Sequence, residues 1–194
     1  MERLVQRLSR LPGIGRRSAQ RVVFYLLKQP PEEAEALAHA IAQMKSTVRQ
    51  CARCFNISES DPCPICSDPR RDKTTVLVVE EPKDVLSFEA SGMYKGVYHV
   101  LMGRLEPLDG VGPGALTVRP LVERVRRDNV VEVILGTSAT LEGDGTALHL
   151  CQQLEEAGVQ VTRLARGIPT GAPLEMLSKA VLSDAIHGRR AVKD

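Results

Sequence analysis

The segment from residue 75 to residue 165 alternates short apolar runs with longer amphipathic ones, and this order leaves few possible folds. TVLVVE, GVYHVLMG, VVEVILG and VQVTRLA are typical of buried strands. The stretches between them, such as PKDVLSFEASG and TALHLCQQLEEAG, have the apolar spacing of helices. Strands that alternate with helices predict a mostly parallel sheet with helices on both faces. The expected fold class is α/β.

Four acidic residues fall at or just past the carboxyl ends of the predicted strands: Glu80, Asp84, Glu142 and Asp144. Parallel sheets place their binding sites at that edge. Glu142 and Asp144 are predicted to lie on the turn between the third strand and its helix. The acids could serve a binding site, or they could cap helices whose dipoles favour negative charge there. Cys151, on the following helix, is expected to be a small core residue.

Four cysteines stand in the segment CARCFNISESDPCPIC with the spacing Cys51-x2-Cys54-x8-Cys63-x2-Cys66. Two CxxC turns on one short loop can present four thiolates tetrahedrally to Zn²⁺. Disulfides and a redox pair are the alternatives, although a reducing compartment disfavours disulfides. We predict one structural zinc ion held by all four cysteines, which leaves no open position for a catalytic water.

The first 28 residues carry seven Lys or Arg residues and one acid, a net charge of +6, whereas the whole chain has +2. A helix, the turn LPGIG and a second helix resemble the helix-hairpin-helix DNA-binding motif. Its glycines let phosphate oxygens approach the free amides at the start of the second helix. The candidate DNA-binding residues are Gly13, Gly15, Arg16, Arg17 and Arg21. A plain helical corner with solvated arginines is the alternative.

A third helix is predicted from about Pro31 to Val48, because proline and glutamates stand at its start. No apolar run approaches the ~20 residues that a membrane span requires. The charged start MERLVQRLSR is unlike a signal peptide. We therefore expect a cytoplasmic protein without membrane contact.

Several motifs stand in the order found in one family. VLVVEEPKDV followed by GTSATLEGDGTA resembles a Toprim domain, the metal-binding fold of topoisomerases and some primases and nucleases. Together with LSRLPGIG, CxxCFN, ICSDPRRD, YHVLMGRLEPLDGVGP and GIPTG, nearly the whole chain resembles the RecR family of bacterial recombination mediators. The resemblance implies a multi-domain α/β protein with a helix-hairpin-helix domain at 1–50, a four-cysteine zinc finger at 51–72, a Toprim domain at 73–168 and a tail at 169–194.

Catalytic Toprim domains position Mg²⁺ with a glutamate after the first strand and a DxD pair after a later one. Glu80 fits the glutamate, but the two aspartates fall on Ser138 and Thr140. Two hydroxyls cannot replace two carboxylates around Mg²⁺, so we expect no strand cleavage or synthesis. A Mg²⁺-dependent nuclease or primase-like enzyme is the alternative, and it would need acids from elsewhere, such as Asp109.

The resemblance also implies partners. A RecR-like chain is expected to form a homotetrameric ring whose amino-terminal domains line the hole and bind single- and double-stranded DNA without reading its sequence. It is expected to act with RecO, or RecF, to load RecA onto single strands coated by SSB. The acids Glu80, Asp84, Glu142 and Asp144 would then belong to a patch that contacts RecO, with weak divalent-ion binding as a further alternative.

Overall fold

The computed structural model describes residues 1–191 and divides the chain into two compact units. The first covers residues 1–48 and the second begins at Arg49. Among the described residues, no helix combines the length and the apolar character that crossing a membrane requires.

The first unit contains three helices, α1 (Glu2–Leu8), α2 (Arg16–Lys28) and α3 (Pro31–Thr47). Val5 on α1 packs against Ala19 and Val23 on α2, and all three are buried. The apolar spacing of both helices thus forms a small shared core. All residues of α3 lie outside it, because this helix has no buried residue.

The second unit begins with a short antiparallel ribbon and continues as alternating strands and helices. Its strands are β1 (Arg49–Gln50), β2 (Ile57–Ser58), β3 (Asp72–Val79), β4 (Gly96–Val100), β5 (Glu132–Gly136) and β6 (Gln160–Arg163). Its helices are α4 (Pro64–Ser67), α5 (Pro82–Ser91), α6 (Val118–Arg127), α7 (Leu141–Glu155) and α8 (Lys179–His187). The predicted order of strands and helices is confirmed.

Strands β3 to β6 form one sheet in the order β4-β3-β5-β6, and every neighbouring pair is parallel. Val79 at the end of β3 lies opposite Val100 on β4 and Gly136 on β5. The carboxyl ends of these three strands therefore meet at one edge, where we predicted the acidic residues.

Both faces of this sheet are covered, as its near-continuous apolar strands require. On one face, Val76 and Val78 of β3 pack in a core that includes Leu121 of α6 and Leu150 of α7. On the other face, Leu77 packs with residues of α5 and with Phe55 and Ile65 from the cysteine-containing segment. The cysteine-containing segment thus shares the cover of the second face with α5.

Two sequence-based predictions about α7 are wrong. The helix begins at Leu141, because the Thr140 side chain accepts a hydrogen bond from the Gly143 amide at 3.2 Å and caps the helix there. Glu142 and Asp144 therefore lie in the first helical turn and not on the loop before it. Cys151 is exposed, since the buried stripe of α7 runs through Leu150 and Leu154. The predicted tail at 169–194 contains α8, and its last three residues lie outside the described residues.

Candidate functional site

The four cysteines meet in one buried cluster in the second unit. The sulfur atoms of Cys51, Cys54, Cys63 and Cys66 all lie within 4.8 Å of one another. The Cys63 amide donates to the Cys51 sulfur at 3.3 Å, and the Cys66 amide donates to the Cys63 sulfur at 3.5 Å. Such amide donors stabilise thiolates. The ligand set, the burial and the amide donors fit one tetrahedral Zn²⁺.

The electrostatics of the four sulfur atoms also favour a bound cation. Contact with the Cys63 and Cys66 sulfurs raises the pKa of the Cys54 thiol above its ordinary value. Four neighbouring thiolates would repel one another, and a bound Zn²⁺ removes that repulsion while keeping the sulfurs deprotonated. Because protein sulfurs fill all four positions, the zinc ion here is structural.

The zinc module, defined here as residues 49–68, is joined to the edge strand β4. The Val100 amide donates to the Cys54 carbonyl oxygen at 2.8 Å, so the module satisfies a backbone group at the sheet edge. The Phe55 ring lies 5.3 Å from the His99 ring between centroids, and Arg53 pairs with Asp128 at 3.1 Å. Folding of the zinc module is therefore coupled to the edge of the main sheet.

His99 and Arg124 form a buried polar pair beneath this junction that sequence reasoning missed. The His99 Nε2 atom lies 2.9 Å from the Thr117 carbonyl oxygen, and Arg124 donates to the Tyr98 carbonyl oxygen at 2.6 Å. Burial, together with the charge of Arg124, lowers the pKa of His99 to about 3. His99 is therefore neutral near pH 7 and has a structural role. Its one signal in the sequence is a histidine inside an apolar strand, GVYHVLMG.

The candidate DNA-binding residues surround the turn between α1 and α2. Gly13 has φ +77°, a left-handed conformation that favours glycine. Gly15 is the N-cap of α2, and no side chain caps the helix, so the amides at its start face outward. Arg17 and Arg21 are exposed and form no ion pair within residues 1–191, whereas Arg16 pairs with Glu2 at 2.7 Å.

At the carboxyl edge of the sheet, Glu80 meets the two hydroxyl residues predicted to replace the aspartates. Its carboxylate accepts hydrogen bonds from the Ser138 amide and hydroxyl, both at 2.8 Å. Ser138 in turn lies 3.2 Å from the Thr140 hydroxyl. The Arg104 guanidinium stands 3.6 Å from the same carboxylate. Hydroxyls and an arginine therefore surround Glu80 where a metal ion would need oxygen anions, so these residues do not fit Mg²⁺.

Asp144 is also neutralised within the chain. Arg163 pairs with its carboxylate at 2.6 Å, and Arg166 forms a second pair with the same group. The hydrogen bond from Arg166, followed by that from Arg163, lowers the pKa of Asp144 to about 2. Sequence reasoning missed these arginines, because Arg163 ends β6 and Arg166 follows it, and both come near α7 only when β6 pairs with β5.

The other two acids serve helix starts. Asp84 accepts a hydrogen bond from the Glu81 amide at 2.8 Å and completes a capping box at α5. The pKa of Glu142 is lowered first by its own backbone amide and then by the Thr140 hydroxyl. In residues 1–191, the four cysteines are the one group of three or more His, Cys, Asp or Glu side chains close enough to share an ion.

A cleft opens beside this acidic edge, between the loop after β4 and the start of α7. We call it the leucine cleft, and its volume is about 460 Å³. Its apolar wall consists of Leu105, Pro107, Leu108 and Leu141, and Gly145 lies at its side. The acids Glu106, Asp109 and Glu142 complete the lining. Its volume lies within the range of ordinary ligand pockets.

Comparison with family models matches three consecutive parts of the chain. Residues 1–45 match the helix-hairpin-helix of RecR, residues 48–68 match the four-cysteine zinc finger domain of RecR, and residues 74–165 match the Toprim domain. The zinc finger match contains all four clustered cysteines. Zinc is therefore the cofactor of this site.

Curated relatives match over nearly the full length. Recombination protein RecR of Rhodopirellula baltica is 52% identical over 187 residues, 96% of this chain and 94% of that protein. Recombination protein RecR of Chloroflexus aggregans is 50% identical over 188 residues, 97% of this chain and 92% of that protein. Recombination protein RecR of Deinococcus radiodurans is 48% identical over 189 residues, 97% of this chain and 85% of that protein.

Proposed function

The chain belongs to the RecR family of recombination proteins, and we propose that it is a non-enzymatic mediator that holds DNA and acts with RecO and RecF to load RecA onto single strands. The observation that carries this proposal is the turn between α1 and α2. Its glycines leave the start of α2 open, and Arg17 and Arg21 stand on that helix without internal ion pairs within residues 1–191. Phosphate binding by amides and arginines holds DNA of any sequence.

The decisive test removes the two arginines. We expect Arg17→Ala with Arg21→Ala to weaken binding of fluorescein-labelled single- and double-stranded oligonucleotides, because each lost phosphate contact lowers the salt slope by about 1. Binding is measured by fluorescence anisotropy across a series of salt concentrations.

The matched control removes the same charge from α6 by Arg126→Ala with Arg127→Ala. Both residues are exposed and lie in the second unit. If the two double variants lower affinity and salt slope equally, general charge and not the hairpin carries DNA binding, and the assignment of the interface is wrong.

We further propose that the chain assembles into a homotetrameric ring. Leu37, Ile41 and Met44 recur at helical spacing on α3 and are each about half exposed, so they offer an apolar stripe for a second chain. Several modest DNA-binding modules on one closed body act together through effective concentration. Light scattering with and without DNA should give four times the chain mass of 21.2 kDa. A monomer at every concentration would contradict the ring.

The absence of enzymatic activity is proposed from the chemistry at the acidic edge. Ser138 and Thr140 supply hydroxyls around Glu80, an arginine stands beside that carboxylate, and two arginines pair with Asp144. Phosphoryl transfer in such folds depends on metal ions that neutralise developing charge. Incubation of the protein with DNA and Mg²⁺ or Mn²⁺ should leave the DNA unchanged. A metal-dependent product that Glu80→Ala abolishes would establish the nuclease or primase-like alternative.

We also propose that RecO binds at the carboxyl edge of the sheet, where Glu80, Asp84, Glu142 and Asp144 lie. Carboxylates concentrated at one edge attract a basic partner. Titration calorimetry with the RecO protein of the same genome tests this association. A wild-type chain that gives no binding heat and no complex in size-exclusion chromatography would contradict it.

A further inference from the structure

The four carboxylates at the sheet edge differ in whether contacts within the chain already occupy them, and this decides which of them a partner protein can bind. Glu80 is buried and already accepts two hydrogen bonds from Ser138, and Asp84 is committed to its capping box. Asp144 is paired with two arginines. A partner would have to break these internal contacts to reach the acids. Glu142 alone of the four also lines the leucine cleft.

The loop that forms one wall of the cleft is firmly held. The Leu105 amide donates to the Thr146 hydroxyl at 2.9 Å, and that hydroxyl donates to the Glu142 carbonyl oxygen at 2.7 Å. Glu106 and Val111 exchange two backbone hydrogen bonds across the turn, at 3.1 and 3.0 Å. The loop is therefore fixed both to itself and to the first turns of α7.

This rigid loop presents apolar side chains to solvent. Leu108 at its tip is fully exposed, and Leu141, across the cleft on α7, is 84% exposed. A flexible loop can fold back and bury such side chains. A loop fixed by hydrogen bonds leaves their apolar surface in water, which is unfavourable in free energy. Two exposed leucines facing one cleft are typical of a binding surface.

The charges at the cleft identify the chemistry of its occupant. Glu106, Asp109 and Glu142 give the lining a negative character. The nearby cation, Arg104, is already paired with Glu106 at 2.8 Å and with Glu80. Nucleic acid phosphate is thus repelled, whereas a lysine or arginine beside an apolar side chain is attracted.

We propose that the leucine cleft is the docking contact at this edge, and that its occupant is a segment of a partner protein that presents an aliphatic side chain flanked by lysines or arginines. The aliphatic side chain enters between Leu108 and Leu141, and the flanking cations lie against Asp109 and Glu142. The inference rests on the proposed function in one respect, because RecO is the partner protein used as the probe.

Gly145 allows the cleft to be filled without disturbing the fold. It lies within α7 and is exposed, and a Cβ atom added there would meet no heavy atom within 4 Å. Gly145→Leu therefore places a side chain in the cleft from a helical position that any residue accepts. Leu108→Ser removes the apolar contact from the opposite wall and so tests the same surface independently.

The experiment is titration calorimetry of each variant with the RecO protein of the same genome. Gly145→Leu and Leu108→Ser should each weaken RecO binding at least about tenfold, the effect expected for a central apolar contact. Asp109→Asn with Glu142→Gln should weaken binding and flatten its salt dependence. The matched controls, Leu86→Ser on α5 and Gln152→Leu on α7, change exposed residues outside the cleft and should bind within about twofold of wild type.

Two readouts separate this inference from the DNA-binding proposal. Oligonucleotide binding should be unchanged in every cleft variant, while Arg17→Ala with Arg21→Ala should retain RecO binding. Wild-type affinity of Gly145→Leu for RecO, or no RecO binding by the wild type, would overturn the inference. It is equally overturned if sedimentation velocity shows that Gly145→Leu and Leu108→Ser dissociate the protein's own assembly, because the occupant would then be a second copy of the chain.

Discussion

Two glycines in the first turns of α7 should respond to alanine with opposite signs. At Gly143 an added Cβ atom would lie 2.1 Å from the Ser138 carbonyl oxygen and 2.5 Å from its hydroxyl, against an ordinary contact of at least 3.4 Å. The carbonyl belongs to the backbone and cannot rotate away. At Gly145 the same Cβ atom meets nothing within 4 Å.

The size of the effect follows from these distances. Overpacking costs about 1–3 kcal/mol, and displacing Ser138 also weakens its two hydrogen bonds to the Glu80 carboxylate. Alanine recovers about 1 kcal/mol of helix propensity. We therefore expect Gly143→Ala to lower the free energy of unfolding by about 2–3 kcal/mol, whereas Gly145→Ala should raise it by about 0.5–1 kcal/mol.

Urea titration of the zinc-saturated protein, followed by far-ultraviolet circular dichroism, measures both free energies. Gly145→Ala is the matched control, because it makes the same chemical change two residues further along the same helix. Equal shifts in the two variants would refute the reasoning, since helix propensity alone would then explain them. If Gly143→Ala leaves the free energy of unfolding unchanged, the loop at Ser138 can move away from the added methyl group without loss of stability.

Two further predictions concern the junction between the zinc module and the sheet. His99 has a pKa lowered to about 3 in the folded chain against an ordinary 6.5, so the unfolded state takes up a proton that the folded state refuses as pH falls below 6.5. Unfolding experiments should show a loss of about 1.4 kcal/mol between pH 7.5 and pH 5.5, which His99→Gln removes; an unchanged slope in that variant would assign the loss to other groups. Elemental analysis should find one zinc ion per chain, and its removal by a chelator should accelerate hydrogen exchange at the Val100 amide, which donates to Cys54, more than at Leu135 on a central strand. Equal exchange rates before and after chelation would mean that the zinc module does not protect the sheet edge.

Much of the fold could be predicted from local sequence signals. The run from Val76 to Val79 is apolar at every position, which a strand buried on both faces requires. Helix α5 begins at Pro82 and ends before Gly92, whose φ of +66° closes it, and both residues are standard boundary signals. The start of α7 was harder to predict. Two glycines in LEGDG suggest a loop, whereas in the folded chain the Gly143 and Asp144 amides donate to the Thr140 hydroxyl and carbonyl oxygens and so begin the helix there.

Some functional residues could likewise be predicted from local sequence, and others could not. The four cysteines could be predicted because their ligand spacing lies within 16 consecutive residues. The arginine partners of the acids could not be predicted, because Arg104 in the loop after β4 reaches Glu80, and Arg163 at the end of β6 reaches Asp144, only once the sheet has formed. The leucine cleft was missed for the same reason. Leu108 and Leu141 are ordinary leucines until the loop after β4 is hydrogen-bonded to α7.

The positions of the arginines decide whether the acidic edge of the sheet can bind a divalent cation. Counting carboxylates suggests that aspartates at positions 138 and 140 would be enough to rebuild a magnesium site. In the folded chain, however, Arg104 stands beside Glu80, and Arg163 and Arg166 hold Asp144. A divalent cation at that edge would meet the repulsion of these guanidinium groups. The chain's own cations thus lie against Glu80 and Asp144, the two carboxylates that a metal ion at this site would need, whereas the charge of Glu142 remains for the proposed basic partner.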